Sequence, residues 1–402
     1  MIKTICFILC LVILGLSLAG CTKQEVLASV VAKKLDGVTM SNNMFAWHLF
    51  RLINADDKVS NVFISPLSVT MAVSMVLNGA EGSTSEAIKK ALYYEGFDMS
   101  AINAGNKYLS GRLTSSEKNI TLDIANAIWI QDGFPVKKTF VDINRDMFDA
   151  LVANIDFNKK EAAETINKWI GKATKGLIDK MVEPPTPEDM VMYLVNAIYF
   201  KGEWTEAFDP KMTFEMVFNG KKKTNVQMMS KSGKIDFYQT EKLKAVRLPY
   251  GKDKAVSMYV MLPNSNTAID TFIQEFDMDR WAEIREGMES RQEVKLCLPK
   301  FKIEYGAKEL RDTLTLLGMG VAFSDEADFS GISDRSMTID TVMHKAVIEV
   351  DEIGSKAAAV TGIGMKATAL VETPEFIADR PFIFVISDDV DDSILFMGKM
   401  IE

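Results

Sequence analysis

The chain has 402 residues, a formal net charge of −9, 48% hydrophobic and 25% charged side chains, 24 Gly and 11 Pro. These proportions exclude disordered, collagenous and coiled-coil classes, and an acidic chain without a basic cluster makes a poor nucleic-acid binder. Only two histidines, His48 and His344, and four cysteines, Cys6, Cys10, Cys21 and Cys297, are present, which weighs against most zinc hydrolases and histidine-based triads.

Residues 1–20 read as a secretory signal: Lys3, an apolar run from Ile5 to Leu18, then small residues. Leu18-Ala19-Gly20-Cys21 resembles the bacterial and archaeal lipobox, in which the cysteine becomes the first mature residue and carries a lipid. The expected location is therefore the cell envelope or outside the cell, with the membrane reached through that lipid. Residues 21–39 read as a tether. With Cys6 and Cys10 removed and Cys21 lipidated, Cys297 has no disulfide partner, and stability must come from burial.

The first helix is expected from Asn42, with apolar spacing at Phe45, Trp47, Leu49 and Leu52. Asn61-Val-Phe-Ile is a short strand. Ser65-Pro66 opens a helix as cap and first residue, and Asn78-Gly79 ends it. Ser83 with Glu86 predicts a capped helix to Leu92. Helices follow over about 98–113 and 138–149, separated by a strand from Ile120 to Ile130. Glu161 to Thr174 is an amphipathic helix, and Glu183-Pro184-Pro185-Thr186-Pro187 breaks the chain. Met190 to Phe200 is a nearly continuous apolar run, a strand buried on both faces.

Thr213 to Pro263 alternates and turns as antiparallel strands do. Short helices are expected near 267–288, a strand over Val294–Ile303 with Cys297 buried, a helix over 307–317, and a long strand from Thr338 to Glu352. Strands at 380–387 and 393–400 are joined by Asp388-Asp389-Val390-Asp391-Asp392, which lacks the EF-hand spacing and its glycine and so reads as a charged hairpin loop. No HExxH, Walker, GxSxG or paired CxxC sequence occurs, so no cofactor or metal is expected. Helices lead, strands follow, and nothing divides the chain: one α+β domain over 40–402.

Gly354 to Thr373 is long and poor in charge for a loop, and such loops are usually functional. At a strand's period of two, one face reads Ser355, Ala357, Ala359, Thr361, Ile363, Met365. The other carries both lysines, Lys356 and Lys366. A segment so divided suits a sheet, its small face buried and its lysines in water.

At this segment the chain resembles the serpin family. Glu352-Ile-Gly354-Ser355-Lys-Ala357-Ala358-Ala359-Val-Thr361 is similar to the hinge of an inhibitory member's reactive-centre loop, here about 353–373. Ala378-Asp379-Arg380-Pro381-Phe382-Ile383-Phe384 is similar to the family's C-terminal signature. Asn61 to Ser68, Asn196 to Trp204 and His344-Lys345-Ala346 resemble its early shutter segment, its central strand with the breach tryptophan, and the strand leading into the loop. The resemblance implies three β-sheets, about nine helices and an exposed loop. It also implies an inhibitor rather than an enzyme. A serine protease, or sometimes a cysteine protease, cuts the loop, which then inserts into the large sheet and traps the acyl-enzyme. The alternative is a non-inhibitory member, a binding or carrier module at the cell surface.

By position, Glu352, Gly354, Ser355, Ala357, Ala358, Ala359 and Thr361 form the hinge. Ser65, Ser68, Asn196 and His344 form a polar shutter, and Trp204 sits where the loop first enters. The family count from Glu352 puts the scissile bond at Thr368–Ala369, whereas counting back from Pro381 puts it near Leu370. Thr368 suits elastase-like or subtilisin-like enzymes first; Lys366 would invite a trypsin-like and Leu370 a chymotrypsin-like one. Lys356 and Ile353 depart from the family pattern. A monomer is expected.

Overall fold

The computed structural model describes residues 36–114, 119–186, 190–354 and 373–402. Among these, nine α-helical segments and fourteen strands alternate along the chain. A five-stranded sheet has the order Phe301–Glu309, Thr341–Val350, Met192–Gly202, Ile120–Gln131, Leu151–Ile155. The other strands form a nine-stranded network running from Val62–Ile64 to Glu375–Ile377. Two long strands, Lys223–Gln239 and Glu289–Pro299, carry that network across a register shift between Gly233 and Ile235. Of the three expected sheets one stands separate, and the remaining strands hydrogen-bond as one nine-stranded network joined through these two long strands.

The five-stranded sheet is covered on both faces. Leu194, Ile198 and Phe200 of its central strand face the main core, while Tyr193, Val195, Ala197 and Tyr199 join a second cluster with Trp129, Ile166 and Ile170. This accounts for the unbroken apolar run read from Met190 to Phe200, because a strand buried twice has no polar face to alternate with. The helix Pro66–Leu77 starts as expected. The Ser65 side chain accepts from Ser68 N–H and Pro66 is its first residue, and all of its residues are buried.

Several boundaries differ from the sequence reading. The first helix spans 36–56 among the described residues, so 36–39 are packed chain rather than tether. Val38 is buried against Gly105, where a Cβ would lie 2.7 Å from it; glycines make this contact, and they carry no apolar period. The helix Gly82–Ala91 starts before Ser83, with Glu81 at its cap and no side-chain capping bond. The single strand read over 294–303 is two, Glu289–Pro299 and Phe301–Glu309, broken at Lys300. That second strand occupies the start of the predicted 307–317 helix, of which Arg311–Leu314 is α-helical. The edge strand Leu151–Ile155 was not foreseen.

The acidic hairpin loop is neutralised by arginines. Arg112 pairs with Asp388 at 3.0 Å, Arg247 with Asp389 at 2.8 Å, and Arg285 with Asp392. No group of metal-ligating side chains occurs among the described residues. Cys297 is a buried strand residue, as expected, and His48 meets the Tyr93 hydroxyl at 2.9 Å on the first helix.

Candidate functional site

Strand register places three polar residues in one row. Asn126 lies opposite Asn196 across an antiparallel pair, and Asn196 lies opposite His344 across a parallel one. All three are buried. Beneath the row stands the N-terminus of the helix Pro66–Leu77, with Ser65 and Ser68 also buried.

Their hydrogen bonds form a closed set. Ser65 N–H donates to His344 Nε2 at 3.1 Å. A backbone N–H can only donate, so Nε2 is the acceptor and the ring proton sits on Nδ1. Nδ1–H then donates to Asn196 Oδ1 at 2.6 Å. Asn196 Nδ2 spends its two hydrogens on Asn126 Oδ1, at 2.7 Å, and on Ser68 Oγ. Ser65 Oγ donates to the Leu395 carbonyl at 2.7 Å. Burial pushes the His344 pKa down to about 3, so the ring is neutral and its tautomer is dictated by its neighbours.

A second constellation lies where the chain leaves the strand Thr341–Val350. The Trp204 Nε1–H donates to the Asp351 carbonyl at 2.9 Å, the Trp204 backbone N–H to Ile353 at 3.1 Å, and the Phe208 N–H to Glu352 at 2.7 Å. The Trp204 ring stacks on Tyr250 with centroids 4.3 Å apart, a contact of about 0.5–1.5 kcal/mol beyond area burial. Thr213 Oγ1 donates to Glu352 Oε1 at 2.7 Å, and Lys300 Nζ lies 2.8 Å from Oε2. Burial alone would raise the Glu352 pKa, but the bonds from Lys300 and Thr213 outweigh it and hold the carboxyl below its usual range.

Gly354 ends this clasp with φ +72°. A Cβ there would stand 2.4 Å from the Gly202 carbonyl oxygen and 2.5 Å from Trp204 N, both backbone atoms. Gly354→Ala is therefore expected to break the Trp204–Ile353 contact at a cost of about 2–4 kcal/mol. The readout is a red-shifted Trp204 emission and faster proteolysis near 351–354; an unchanged cleavage rate would contradict the close approach.

The parallel pairing of Thr341–Val350 with Met192–Gly202 spans eight register positions, Thr341 to Ile348. Chain leaving Val350 and folding back over this junction would run antiparallel to both strands. It would replace one parallel ladder by two antiparallel ones, which are slightly more stable per residue.

The structure thus brings Ser65, Ser68, Asn196 and His344 into one cluster, and Trp204, Glu352 and Gly354 into another. Ser355, Ala357, Ala358, Ala359, Thr361, Lys366, Thr368, Ala369, Leu370 and Cys21 lie outside the described residues. Sequence reasoning missed Asn126, Thr213, Lys300 and Tyr250. Asn126 had a signal, an amide inside the apolar run Ile120–Ile130; the others had none.

The family profile described as "Serpin (serine protease inhibitor)" matches residues 40–402. A serpin-like protein of Methanosarcina acetivorans is 36% identical, the alignment covering 90% of this chain and 87% of the relative. Leukocyte elastase inhibitor of Bos taurus is 33% identical over 91% of this chain and 99% of its own. The native-state structure of tengpin, a thermophilic serpin, superposes with a TM-score of 0.82 at 31% identity, covering 90% of this chain and 94% of that one. Ordered motifs, a shared architecture and near-complete coverage lead to one conclusion: this chain belongs to the serpin family of serine protease inhibitors.

Proposed function

We propose that this protein is an inhibitory serpin that traps serine proteases by loop cleavage and insertion. The observation that carries the reading is the parallel junction between Thr341–Val350 and Met192–Gly202, with the chain leaving beside it through the Gly354 clasp. The uncharged alternate face of Ser355 to Met365 suits a strand entering there with its lysines outward. By the family count from Glu352 the proposed cut is Thr368–Ala369, with Lys366 and Leu370 as alternatives, so elastase-like and subtilisin-like enzymes are the first targets to try. That one relative is named an elastase inhibitor agrees with this ranking. The reading includes an envelope location through a lipid on Cys21, to be read as an acylated N-terminal peptide by mass spectrometry.

Incubation with elastase, subtilisin and trypsin is expected to give a covalent complex of higher mass on denaturing gels. Mass spectrometry of the released peptide locates the bond. Clean cleavage across a broad protease panel, with active enzyme and no complex, contradicts inhibition. A rise in thermal stability after cleavage marks an inserting loop; its absence favours the binding or carrier alternative.

A further inference from the structure

A cavity of 170 Å³ lies on the far side of Trp204, between that residue's loop and the strands Lys223–Gln239 and Leu243–Tyr250. Its lining carries four cations, Lys231, Lys234, Arg247 and Lys254, against two carboxylates, Glu206 and Asp236, in a protein of net charge −9. Lys231 and Lys234 have opposite parity, so a regular strand would turn them to opposite faces. The register shift between Gly233 and Ile235 resets the alternation and brings both to one space, as bulges do.

The two carboxylates leave Lys234 and Lys254 without a charge partner among the described residues. Asp236 is taken by Arg247 at 2.9 Å, and Arg247 is further held by Asp389. Lys231 Nζ donates to the Glu206 main-chain carbonyl at 2.7 Å and sits 4.5 Å from the Phe208 ring centroid. Burial pushes its ammonium down to about 8. Lys234 and Lys254 have no ion-pair partner among the described residues, and both side chains are exposed at the rim. Lys254 also holds a left-handed backbone, φ 56°, a conformation that costs a non-glycine residue about 1–2 kcal/mol and that clusters at functional sites.

We propose that this cavity binds a small oxyanion of two or more charges, of the phosphate or polycarboxylate class, held by Lys231, Lys234 and Lys254. The volume is well below the ~300–1,000 Å³ of pockets for drug-sized ligands, so the ligand is small. Occupancy bears on the hinge, because one wall of the cavity is the loop that grips it. The N–H groups of Trp204 and Phe208 hold the carbonyls of Ile353 and Glu352, and Lys231 is tied to Glu206 between them. An anion bridging the lysines fastens that loop to the strands behind it. A consequence for protease trapping rests on the inhibitory reading above; binding itself does not.

The test titrates the full chain in phosphate-free buffer with citrate and with inorganic phosphate, against sodium chloride at matched ionic strength. Saturable binding by calorimetry is expected, with slower hydrogen exchange at the Trp204 and Phe208 amides. The double variant K234Q/K254Q, altered at exposed positions, should lose affinity by about tenfold or more while keeping the melting temperature of the anion-free protein. Saturation by both anions assigns a phosphate-like subsite, and saturation by citrate alone a polycarboxylate one. If chloride reproduces the effect, or the variant titrates like the parent, the site is refuted. No protease enters these measurements, so their failure leaves the inhibitory reading standing.

Discussion

Asn196→Ala is expected to lower the unfolding free energy by about 3–5 kcal/mol. The side chain joins three buried partners, His344 Nδ1–H, Asn126 Oδ1 and Ser68 Oγ. Each buried group left unpaired costs about 1–3 kcal/mol, and the network shares that loss. Chemical denaturation measures it; a loss under about 1 kcal/mol would show that the row is not a closed network. The same row makes stability pH-dependent. The folded His344 pKa is depressed to about 3, below the ordinary ~6.5 of an unfolded histidine. The unfolded chain therefore binds the proton first as pH falls. Stability from this group is complete above about pH 6.5 and declines toward pH 3, by up to about 1.4 kcal/mol per pH unit. His48, also lowered by burial and by Arg51, adds a smaller effect of the same sign. Carboxylates such as Asp57, whose pKa is also lowered, act below about pH 4. Asp391, raised by burial and by Asp388, acts in the opposite sense, so the loss of stability from about pH 6.5 to 4.5 is assigned to the histidines. His344→Gln should flatten the curve there, and a slope equal to the parent's would remove His344 as its cause.

If the protein inhibits as proposed, Ser355→Arg is expected to leave loop cleavage intact while reducing trapped complex by on the order of 100-fold, which corresponds to about 3 kcal/mol against insertion. The residue follows Gly354, which comes directly after Ile353, the last residue bonded to Trp204, and opens the uncharged alternate face of the segment. An arginine there would enter the sheet without a partner, whereas the acyl-enzyme hydrolyses meanwhile. The protein becomes a substrate. Ser355→Ala, small and uncharged, should trap like the parent, which separates burial of charge from any loss of the hydroxyl. Trapping by Ser355→Arg at the parent's stoichiometry would place the inserting face elsewhere.

Local chemistry made much of this protein legible. Ser65-Pro66 marked a helix start because a hydroxyl cap and a proline without N–H suit that position. The run from Met190 to Phe200 marked a strand buried on both faces. Where glycines made the contact, as at Gly105 under Val38, the first helix was read too short, since close approach leaves no period. The break at Lys300 did have a local signal, since Pro299 before it has no N–H to give a ladder and ends the strand. What only the fold shows is that the Lys300 side chain pairs there with Glu352, from a distant part of the chain.

The site divides in the same way. Periodicity is a property of a few consecutive residues, so the sequence by itself determined the α+β class, the uncharged alternate face after Gly354, and candidates at Ser65, Ser68, Asn196, Trp204 and His344. Register between strands depends on residues far apart in the chain. The tertiary structure alone therefore aligned Asn126 with Asn196 and His344, chose the Nδ1–H tautomer, put Lys300 and Thr213 on Glu352, and set four cations around a cavity behind Trp204.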